Sequence, residues 1–427
     1  MRKNKKLLSA AIAAVRMISA SGCSGSGASV PATAAESTTT AAQTAAPAAS
    51  ATVPDTSASS SVSAAETTAA PKKTLPPVEL SPGSAVFTDK HPLSEIDLSE
   101  ERIWINDSPE YAELISVLGL NKKKNNIIKG VYLTATDDDI LYFFANDEYE
   151  VDGKTKIGPY STFELASTTK TFTAAAVFQL IERGQLSLDD TLIKFFPDFE
   201  KGKDISIYHL LHMQAGIYDH INESDLFFGT RDHDYLRKLW FDGLTDNDFL
   251  QALYKADLKY EPGSTHSYSN SEYHLLAMVI EKVTGMNYAE YIQKNIFDVC
   301  GMEHSTSMKT GDLTTVTSAV GQIAEITDNG YSVSPNTDRG DGDIHSCAAD
   351  LLAFDRALKN GRLINEDSLA EMFNIEMGYG CGIMQVSPNL YEHSGNNPGY
   401  KSVNQFLETG KENVYIIKLI HYLLQII

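Results

Sequence analysis

Ser167 and Lys170 lie three residues apart at the start of an apolar stretch that has the periodicity of a helix and ends at Gly184. Because residues three apart share one face of a helix, the serine hydroxyl should lie beside the lysine amine. The N-terminus of a helix also favours developing negative charge. A hydroxyl becomes a strong nucleophile only when a neighbouring base takes its proton, so the pair predicts nucleophilic catalysis at Ser167. The structural alternative is a serine that caps a solvated helix.

A second group of polar residues follows a turn at Pro262 and Gly263. Tyr268 and Asn270 come after this turn and directly before an apolar-periodic helix that ends at Gly285. Loops that are held by rigid elements often carry catalytic groups, so both residues are candidates for the same site. The alternative is an ordinary helix entry with a capping asparagine.

A third group is His393, Ser394 and Gly395, followed directly by Asn396. It comes after a glycine-rich segment, residues 378–386, that the sequence predicts as a strand. A glycine after two polar residues allows a strand backbone to approach a ligand closely. The group is therefore a candidate for substrate binding, and a simple turn between strands is the alternative.

In this order the three groups resemble the motifs of the serine β-lactamase and penicillin-binding-protein family, in its class C-like branch. That family carries Ser-x-x-Lys, then Tyr-x-Asn, then Lys-x-Gly or His-x-Gly. The flanking sequence also resembles the family in residues 173–196, 207–217, 272–285 and 340–354, and the resemblance runs from about Val131 to the C-terminus. It implies an α/β (α+β) fold, in which an antiparallel sheet flanked by helices stands beside a mostly helical subdomain, with the active site between them.

The resemblance also implies a role for each residue. Ser167 would attack a carbonyl and form an acyl-enzyme, while Lys170 and Tyr268 share the proton handling. Asn270 would hydrogen-bond the lysine and the substrate amide, and the backbone N–H groups of Ser167 and Asn396 would bind the oxyanion. Lysine and tyrosine ordinarily have pKa values of about 10.4 and 10, so either must be shifted to act as a base at neutral pH. The sequence leaves open which of them does so, and no motif implies a nucleotide, flavin or metal cofactor.

The sequence departs from the family pattern at several positions. Met213 and Ala215 replace a histidine and a serine of the family, and the third motif begins with His393, where most β-lactamases carry lysine. An unperturbed histidine has a pKa of about 6.5 and is mostly neutral at pH 7, so it should bind a carboxylate weakly. We therefore expect slow β-lactam turnover that improves as the pH falls towards about 6. The segment after Gly410 is shorter than the two strands and terminal helix of the family require.

The first 80 residues predict export and a tether. Residues 1–23 have a basic start, an apolar run too short to span a bilayer and a small-residue box that ends at Cys23. This predicts a lipoprotein-type signal peptide with Cys23 as the lipidated residue, although Ala20 stands where leucine is usual and a plain secretory signal is the alternative. Residues 24–80 are rich in Ala, Ser, Thr and Pro, which predicts a disordered linker. Residues 81–427 should then form a hydrolase domain anchored to the membrane outside the cytoplasm, or secreted.

Charge and metal-binding residues exclude other classes. The formal net charge of −21 argues against binding to nucleic acid. His209, His212 and His220 lie close in sequence, but no carboxylate or cysteine has a convincing spacing to them, so we expect no metal site. The three cysteines beyond the signal, Cys300, Cys347 and Cys381, allow at most one disulfide, and free buried thiols fit equally well.

The sequence as a whole predicts an extracytoplasmic serine hydrolase. Its substrate would be a D-amino-acid peptide, as for a D,D-carboxypeptidase, or a related amide or ester, with cell-wall peptidoglycan as a candidate partner. One alternative is a small-ester esterase or weak β-lactamase. Another is a catalytically weak protein that binds penicillin or peptidoglycan.

Overall fold

The computed structural model describes residues 75–96, 102–121, 130–145, 157–232, 235–236, 244–307, 338–397 and 400–421. The predictions for the signal peptide, for Cys23 and for most of the linker lie outside these residues, as does the stretch 422–427. Within the described ranges, no helix combines the length and the apolar character needed to cross a membrane.

The strands form two antiparallel sheets. Their bounds are β1 Ile103–Ile105, β2 Gly130–Thr136, β3 Ile140–Ala145, β4 Phe163–Glu164, β5 Thr306–Ser307, β6 Ile344–Ser346, β7 Met384–Ser387, β8 Leu390–Asn397, β9 Tyr400–Glu408 and β10 Asn413–His421. The large sheet has seven strands in the order β1-β3-β2-β10-β9-β8-β7, and the small one has the order β4-β6-β5. Every described pair is antiparallel, so neighbouring strands along the chain can be joined by short turns.

The helices occur mostly between β4 and β7. Their bounds are α1 Ala112–Leu118, α2 Thr169–Glu182, α3 Ile207–Leu211, α4 Ser224–Phe227, α5 Asp246–Lys255, α6 Asn270–Thr284, α7 Tyr288–Ile292, α8 Asp298–Cys300, α9 Ala348–Lys359 and α10 Glu366–Met372. A π-helical segment, Gln293–Phe297, joins α7 to α8. This antiparallel sheet with flanking helices confirms the α+β class that the sequence predicts.

Helix α2 is the centre of the core. Its residues from Thr169 to Leu180 are all buried, as expected for a helix that neighbours cover on every side. Phe172 stacks on Phe354 of α9 with 3.7 Å between ring centroids and meets Phe297 edge-on at 6.1 Å. Aromatic pairs at such distances add to the stabilisation that burial provides. The core therefore fixes α2, and with it the chain that leads into its N-terminus.

One predicted strand is wrong in part. Of residues 378–386, only the end belongs to a strand, because β7 begins at Met384. The preceding residues form turns, with Gly378 at φ +95° and Gly382 at φ +68°. Glycine adopts this left-handed region without a steric cost, and two such residues bend the chain away from an extended path.

Residues 75–80 lie within the predicted linker but hydrogen-bond to the folded chain. The backbone N–H of Leu75 donates to Asp367 Oδ2 at 3.3 Å, and that of Val78 donates to Glu182 Oε2 at 3.1 Å. Asn365 Nδ2 donates to the Leu75 carbonyl at 3.4 Å. These contacts attach the chain from Leu75 onward to the ends of α2 and α10.

Candidate active site

Ser167 lies on a tight turn just before α2. The turn is a single 3-10 turn, Ala166–Thr168, and the α-helix begins at Thr169, so Ser167 precedes the helix that the sequence predicts it to open. Ala166 has φ +48°, a left-handed conformation that is uncommon for residues other than glycine. Strained backbone of this kind often occurs where a functional side chain must be presented. Ser167 is only partly buried, so its hydroxyl remains accessible.

Lys170 is fully buried and has three hydrogen-bond partners. Its Nζ donates to Ser167 Oγ at 3.2 Å, to Asn270 Oδ1 at 2.7 Å and to the Asp341 carbonyl at 2.6 Å. An ammonium group has three N–H donors and no acceptor, so the geometry satisfies a charged Lys170. Two of the sequence-predicted motifs thus converge on one amine, across a separation of 100 residues.

Tyr268 completes this group from the loop before α6. Its half-buried ring has its centroid 5.0 Å from Lys170 Nζ, within cation–π range. Asn270 is the first residue of α6, with Ser269 as the N-cap, so it is not the capping residue that the structural alternative required. In this geometry Lys170 donates to Ser167. Lys170 can therefore accept the serine proton only after it has lost one of its own, and Tyr268 is the other candidate acceptor.

Hydrogen bonds tie the turn that carries Ser167 to strands β8 and β9. Thr168 Oγ1 donates to the His393 carbonyl at 3.3 Å and lies 2.8 Å from Ser402 Oγ. Ser402 Oγ in turn donates to the Leu165 carbonyl at 2.6 Å. The third predicted motif is therefore adjacent to Ser167, although 226 residues separate Ser167 from His393 in the chain.

Gly395 is required by this close approach. A Cβ atom at this position would lie 1.9 Å from the Leu165 carbonyl oxygen and 2.9 Å from the Ala166 Cβ. Both distances are far below van der Waals contact, and the first involves backbone that cannot rotate away. The glycine of the third motif thus allows β8 to pack directly against the residues before Ser167.

We expect Gly395→Ala to lower hydrolytic activity by about 100-fold, because displacing the Ser167 turn by about 1 Å disturbs the reacting geometry. The matched control is Gly158→Ala, since a Cβ there meets nothing within 4 Å and the backbone is outside the left-handed region. Activity against any acyl substrate and the thermal unfolding midpoint would be measured for both. Equal activities of the two variants would contradict the packing argument.

His393 is buried and makes hydrogen bonds with both ring nitrogens. Nδ1 lies 3.0 Å from the Ser394 carbonyl, which can only accept, so Nδ1 carries the proton. Nε2 then accepts from the Tyr379 hydroxyl at 3.0 Å. Burial, together with the nearby charge of Lys170, lowers the pKa of His393 to about 3. The expected improvement of β-lactam turnover towards pH 6 is therefore wrong as far as it depends on His393, because burial keeps this histidine neutral throughout that range.

Ser394 and Asn396 alternate with His393 and Gly395 along β8, so their side chains point to the opposite face of the strand. Ser394 is partly buried, and Asn396 is exposed. Contact between their groups and a substrate stays a prediction, as does the oxyanion role of the backbone N–H groups of Ser167 and Asn396.

Several carboxyl groups, the buried Asp338 and Asp343 and the partly buried Glu164, lie on the side of the site formed by β4 and β6. Burial raises the pKa of Glu164 and that of Asp343 to about 7, although hydrogen bonds from Asn397 and Ser307 oppose this. Burial and the neighbouring Asp341 raise the pKa of Asp338 well above its ordinary range. Together with a neutral His393, these acids provide no positive charge for a substrate carboxylate.

Among the residues that the structure describes, His209, His212 and His220 belong to no group of potential metal ligands. In the part of the chain that the structure describes, the group with donor atoms within 4.8 Å of one another is His304, Cys347 and Asp350. Cys347 caps α9 and accepts from the Asp350 N–H at 3.4 Å, so its sulfur faces the positive end of a helix dipole. That field disfavours a cation. Cys347 is a free buried thiol, as are Cys300 and Cys381.

Sequence reasoning missed several residues around the site. Asp219 hydrogen-bonds Asn270, Tyr379 donates to His393, and Gly382 packs so closely on α2 that a Cβ would lie 2.5 Å from the Lys170 carbonyl. The sequence could have indicated Gly382, because it belongs to the glycine-rich segment 378–386. Asp219 and Tyr379 have none beyond being polar residues near matched segments, because their roles depend on partners far away in the chain.

Comparison with known proteins agrees with this geometry. The family model described as Beta-lactamase matches residues 121–411. The chain is 27% identical over 317 residues to the "Putative penicillin-binding protein PbpX" of Bacillus subtilis (strain 168), and the match covers 71% of this chain and 75% of the relative.

Solved structures share the fold. A D-stereospecific amidohydrolase from Streptomyces sp. has a TM-score of 0.53 at 22% identity and covers 67% of this chain and 88% of its own. The D-amino acid amidase of Ochrobactrum anthropi SV3, complexed with L-phenylalanine, has a TM-score of 0.54 at 22% identity, with coverage of 68% and 86%. Because the family model spans more than half of the sequence, and the three motifs meet around one serine, the chain belongs to the β-lactamase family and is a serine hydrolase.

Proposed function

We propose that this protein is an extracytoplasmic acyl-enzyme hydrolase that cleaves amides of D-amino acids, as short peptides or simple amides. The observation that carries the proposal is the hydrogen-bonded contact of Ser167 Oγ with Lys170 Nζ, beside the ring of Tyr268. This arrangement provides a hydroxyl, a nearby amine and a phenol that can exchange protons.

The proposed reaction has two steps. Ser167 Oγ attacks the amide carbonyl, its proton passes to the Lys170–Tyr268 pair, and that pair gives a proton to the leaving amine. Water then hydrolyses the acyl-enzyme by the same route in reverse. Asn270 holds Lys170, and the backbone N–H groups of Ser167 and Asn396 would bind the oxyanion, where each such donor typically contributes about 3–4 kcal/mol.

The proposed substrate class rests on two solved structures that share the fold and on the absence of charge on His393. Two of the solved structures with this fold are an amidohydrolase named D-stereospecific and a D-amino acid amidase, which supports D-amino-acid amides as substrates. His393 is neutral, and charge-assisted hydrogen bonds are roughly twice as strong as neutral ones. Substrates with a carboxylate beside the scissile bond, such as D-Ala-D-Ala peptides and β-lactams, should therefore be bound less well than neutral amides and esters.

A substrate panel with the full chain tests this proposal. It contains D- and L-phenylalanine amide, a D-Ala-D-Ala peptide, nitrophenyl acetate and a cephalosporin. We expect the D-amide to be hydrolysed faster than the L-amide and the carboxylate substrates. Hydrolysis of the ester alone would favour the esterase alternative. Covalent labelling by penicillin without turnover of any substrate would favour the weak binding protein.

His393→Lys should shift the ratio of turnover towards the carboxylate substrates, because a lysine supplies the missing cation. Glu164 and Asp343 beside the site titrate near pH 7, so the ratio of carboxylate to neutral-substrate turnover can change between about pH 5 and 8. We expect that change to be the same in the wild type and in His393→Gln, since the histidine does not titrate there. His393→Gln, which stays neutral, is the control and should leave the ratio unchanged. A ratio that rises towards about pH 6 in the wild type but not in His393→Gln would contradict the buried neutral state.

We further propose that Cys23 is lipidated and that the linker holds the hydrolase outside the cytoplasmic membrane, where peptidoglycan is a candidate substrate. Small residues before Cys23 and the polar segment after it support this location. The wild type should fractionate with membranes, and Cys23→Ala should move to the soluble or secreted fraction. No change of fraction in the variant would favour a plain secretory signal or an uncleaved anchor.

A further inference from the structure

Asp219 is a buried carboxylate beside the site, and the groups that surround its oxygens are donors. Oδ1 accepts from the N–H of Ile221 at 2.9 Å and from that of Asn222 at 3.0 Å. Oδ2 accepts from Asn222 Nδ2 at 2.9 Å and from the Asn270 N–H at 3.2 Å. Asn270 Nδ2 lies 3.0 Å from Oδ2 and 3.3 Å from Oδ1.

These contacts decide which way the Asn270 amide points. An ionised carboxylate only accepts hydrogen bonds, so Asn270 must turn its NH₂ group towards Asp219 and its Oδ1 towards Lys170. Burial alone would raise the pKa of Asp219, but the neighbouring His220 and the hydrogen bonds from Asn222 and Ile221 hold it below its ordinary value. Asp219 is therefore ionised in the native protein.

We propose that Asp219 is a positioning residue, which fixes the orientation of the Asn270 amide and thereby presents an acceptor to Lys170. The inference rests on the proposed function, in which Lys170 handles the proton of Ser167. With the amide reversed, an NH₂ group would face the Lys170 ammonium, and one of its three acceptors would be lost. The ammonium would then move away from Ser167 Oγ, to which it now lies at 3.2 Å.

Asp219 is itself held in place. Its backbone N–H donates to Glu223 Oε2 at 2.9 Å, and Lys259 Nζ donates to the same oxygen at 2.8 Å and to Ser267 Oγ at 3.0 Å. Ser267 directly precedes Tyr268 in the chain. The loop that carries Asp219 is thus joined to the segment that carries Tyr268, as a positioning role requires.

The first test is Asp219→Asn, measured by the rate at which a fluorophosphonate labels Ser167 and by kcat and KM. Asparagine keeps the shape and an acceptor for the loop N–H groups, but it no longer forces the Asn270 amide into one orientation. We expect labelling and kcat to fall by about 100-fold, with a much smaller change in KM. The matched control, Asp225→Asn, makes the same change on a partly exposed residue of the same segment, whose partner Arg231 lies at 3.8 Å on the surface, and should stay near wild type. A loss of less than about threefold in Asp219→Asn would overturn the proposal.

The exchange variant Asp219→Asn with Asn270→Asp separates positioning from loop anchoring. It places a carboxylate, which can only accept, against Lys170, and an amide at residue 219 that can donate to it. We expect it to be labelled faster than Asp219→Asn alone. If Asp219 served only to anchor its loop, the change at residue 270 would give no recovery.

Thermal unfolding tests the contact independently of activity. In Asp219→Asn, a reversed Asn270 amide turns its NH₂ group towards the Lys170 ammonium and repels it. Adding Lys170→Met removes this repulsion, so the double variant should be destabilised by less than the sum of the two single effects. Direct attraction between Asp219 and Lys170 would also make the effects of the two substitutions on stability non-additive. That contribution would persist in an Asn270→Ala background. We expect the non-additivity to shrink strongly in the Asn270→Ala background. Non-additivity unchanged by Asn270→Ala would overturn the positioning role. A wild type that is neither labelled nor active, but shows this dependence on Asn270, would instead count against the proposed function alone.

Discussion

Ser167→Ala is expected to abolish covalent labelling by a fluorophosphonate or penicillin probe, and to lower hydrolysis of acyl substrates by roughly a thousandfold or more. Ser167 carries the hydroxyl that contacts Lys170 Nζ, and it lies on the strained turn before α2. In the proposed reaction, Ser167 is the group that forms the acyl-enzyme. In the wild type the probe should add its mass to the tryptic peptide that spans residues 157–170.

Ser187→Ala is the matched control for this experiment. Ser187 is exposed and lies just after α2, so its variant should be labelled and should turn over substrate like the wild type. Ser167→Ala should also retain its thermal unfolding midpoint closely, because the hydroxyl is only partly buried. Labelling of a different peptide, or labelling that persists in Ser167→Ala, would show that the nucleophile lies elsewhere.

The spacing of Ser167 and Lys170 is the part of the site that sequence predicts best. Both residues belong to one turn of chain, so local geometry brings them together even though the α-helix begins only at Thr169. The glycine at position 395 was predicted to let the strand approach a ligand; its observed close approach is to Leu165 and Ala166, and contact with a substrate stays a prediction. Such features depend on few partners and therefore leave a pattern in the sequence.

The protonation of His393 could not be predicted in the same way. Its pKa is lowered by burial and by Lys170, which lies 223 residues away in the sequence. Burial of a strand residue next to a distant helix is a property of the tertiary fold. The residue type alone gives the unperturbed pKa of about 6.5, and a histidine buried beside Lys170 does not support the pH dependence expected from that value.

Asp219 and the turns before β7 show two further limits. Asp219 acts through Asn270, 51 residues away, so nothing in its neighbours along the chain distinguishes it from a surface carboxylate. The segment before Met384 has the composition of a strand, but Gly378 and Gly382 adopt left-handed conformations that turn it. Glycine permits both extended and turned backbone, and the packing of Gly382 on α2 selects the turn.

Lys170→Ala, Tyr268→Phe and the double variant are expected to lose similar activity, each by about 10²–10⁴-fold, the usual range for general acid–base groups. Lys170 Nζ lies 5.0 Å from the centre of the Tyr268 ring and 3.2 Å from Ser167 Oγ. If the proton of Ser167 passes through both groups, removing either one breaks the same path, and removing the second costs little more. The rates of probe labelling and of substrate turnover measure this directly.

Tyr273→Phe is the control for the loss of a tyrosine hydroxyl near Lys170. The Tyr273 ring centroid lies 5.9 Å from Lys170 Nζ, but its buried hydroxyl donates to the Leu211 carbonyl at 2.9 Å and is used in packing. This variant should lower the unfolding midpoint while leaving turnover within about threefold of wild type, because only a structural hydrogen bond is lost. Lys170→Ala also leaves Asn270 Oδ1 and the Asp341 carbonyl without their donor, so its stability must be measured alongside its activity. If the double variant instead lost the product of the two single effects, Lys170 and Tyr268 would act in separate steps, and Lys170 would serve mainly to hold charge beside Ser167.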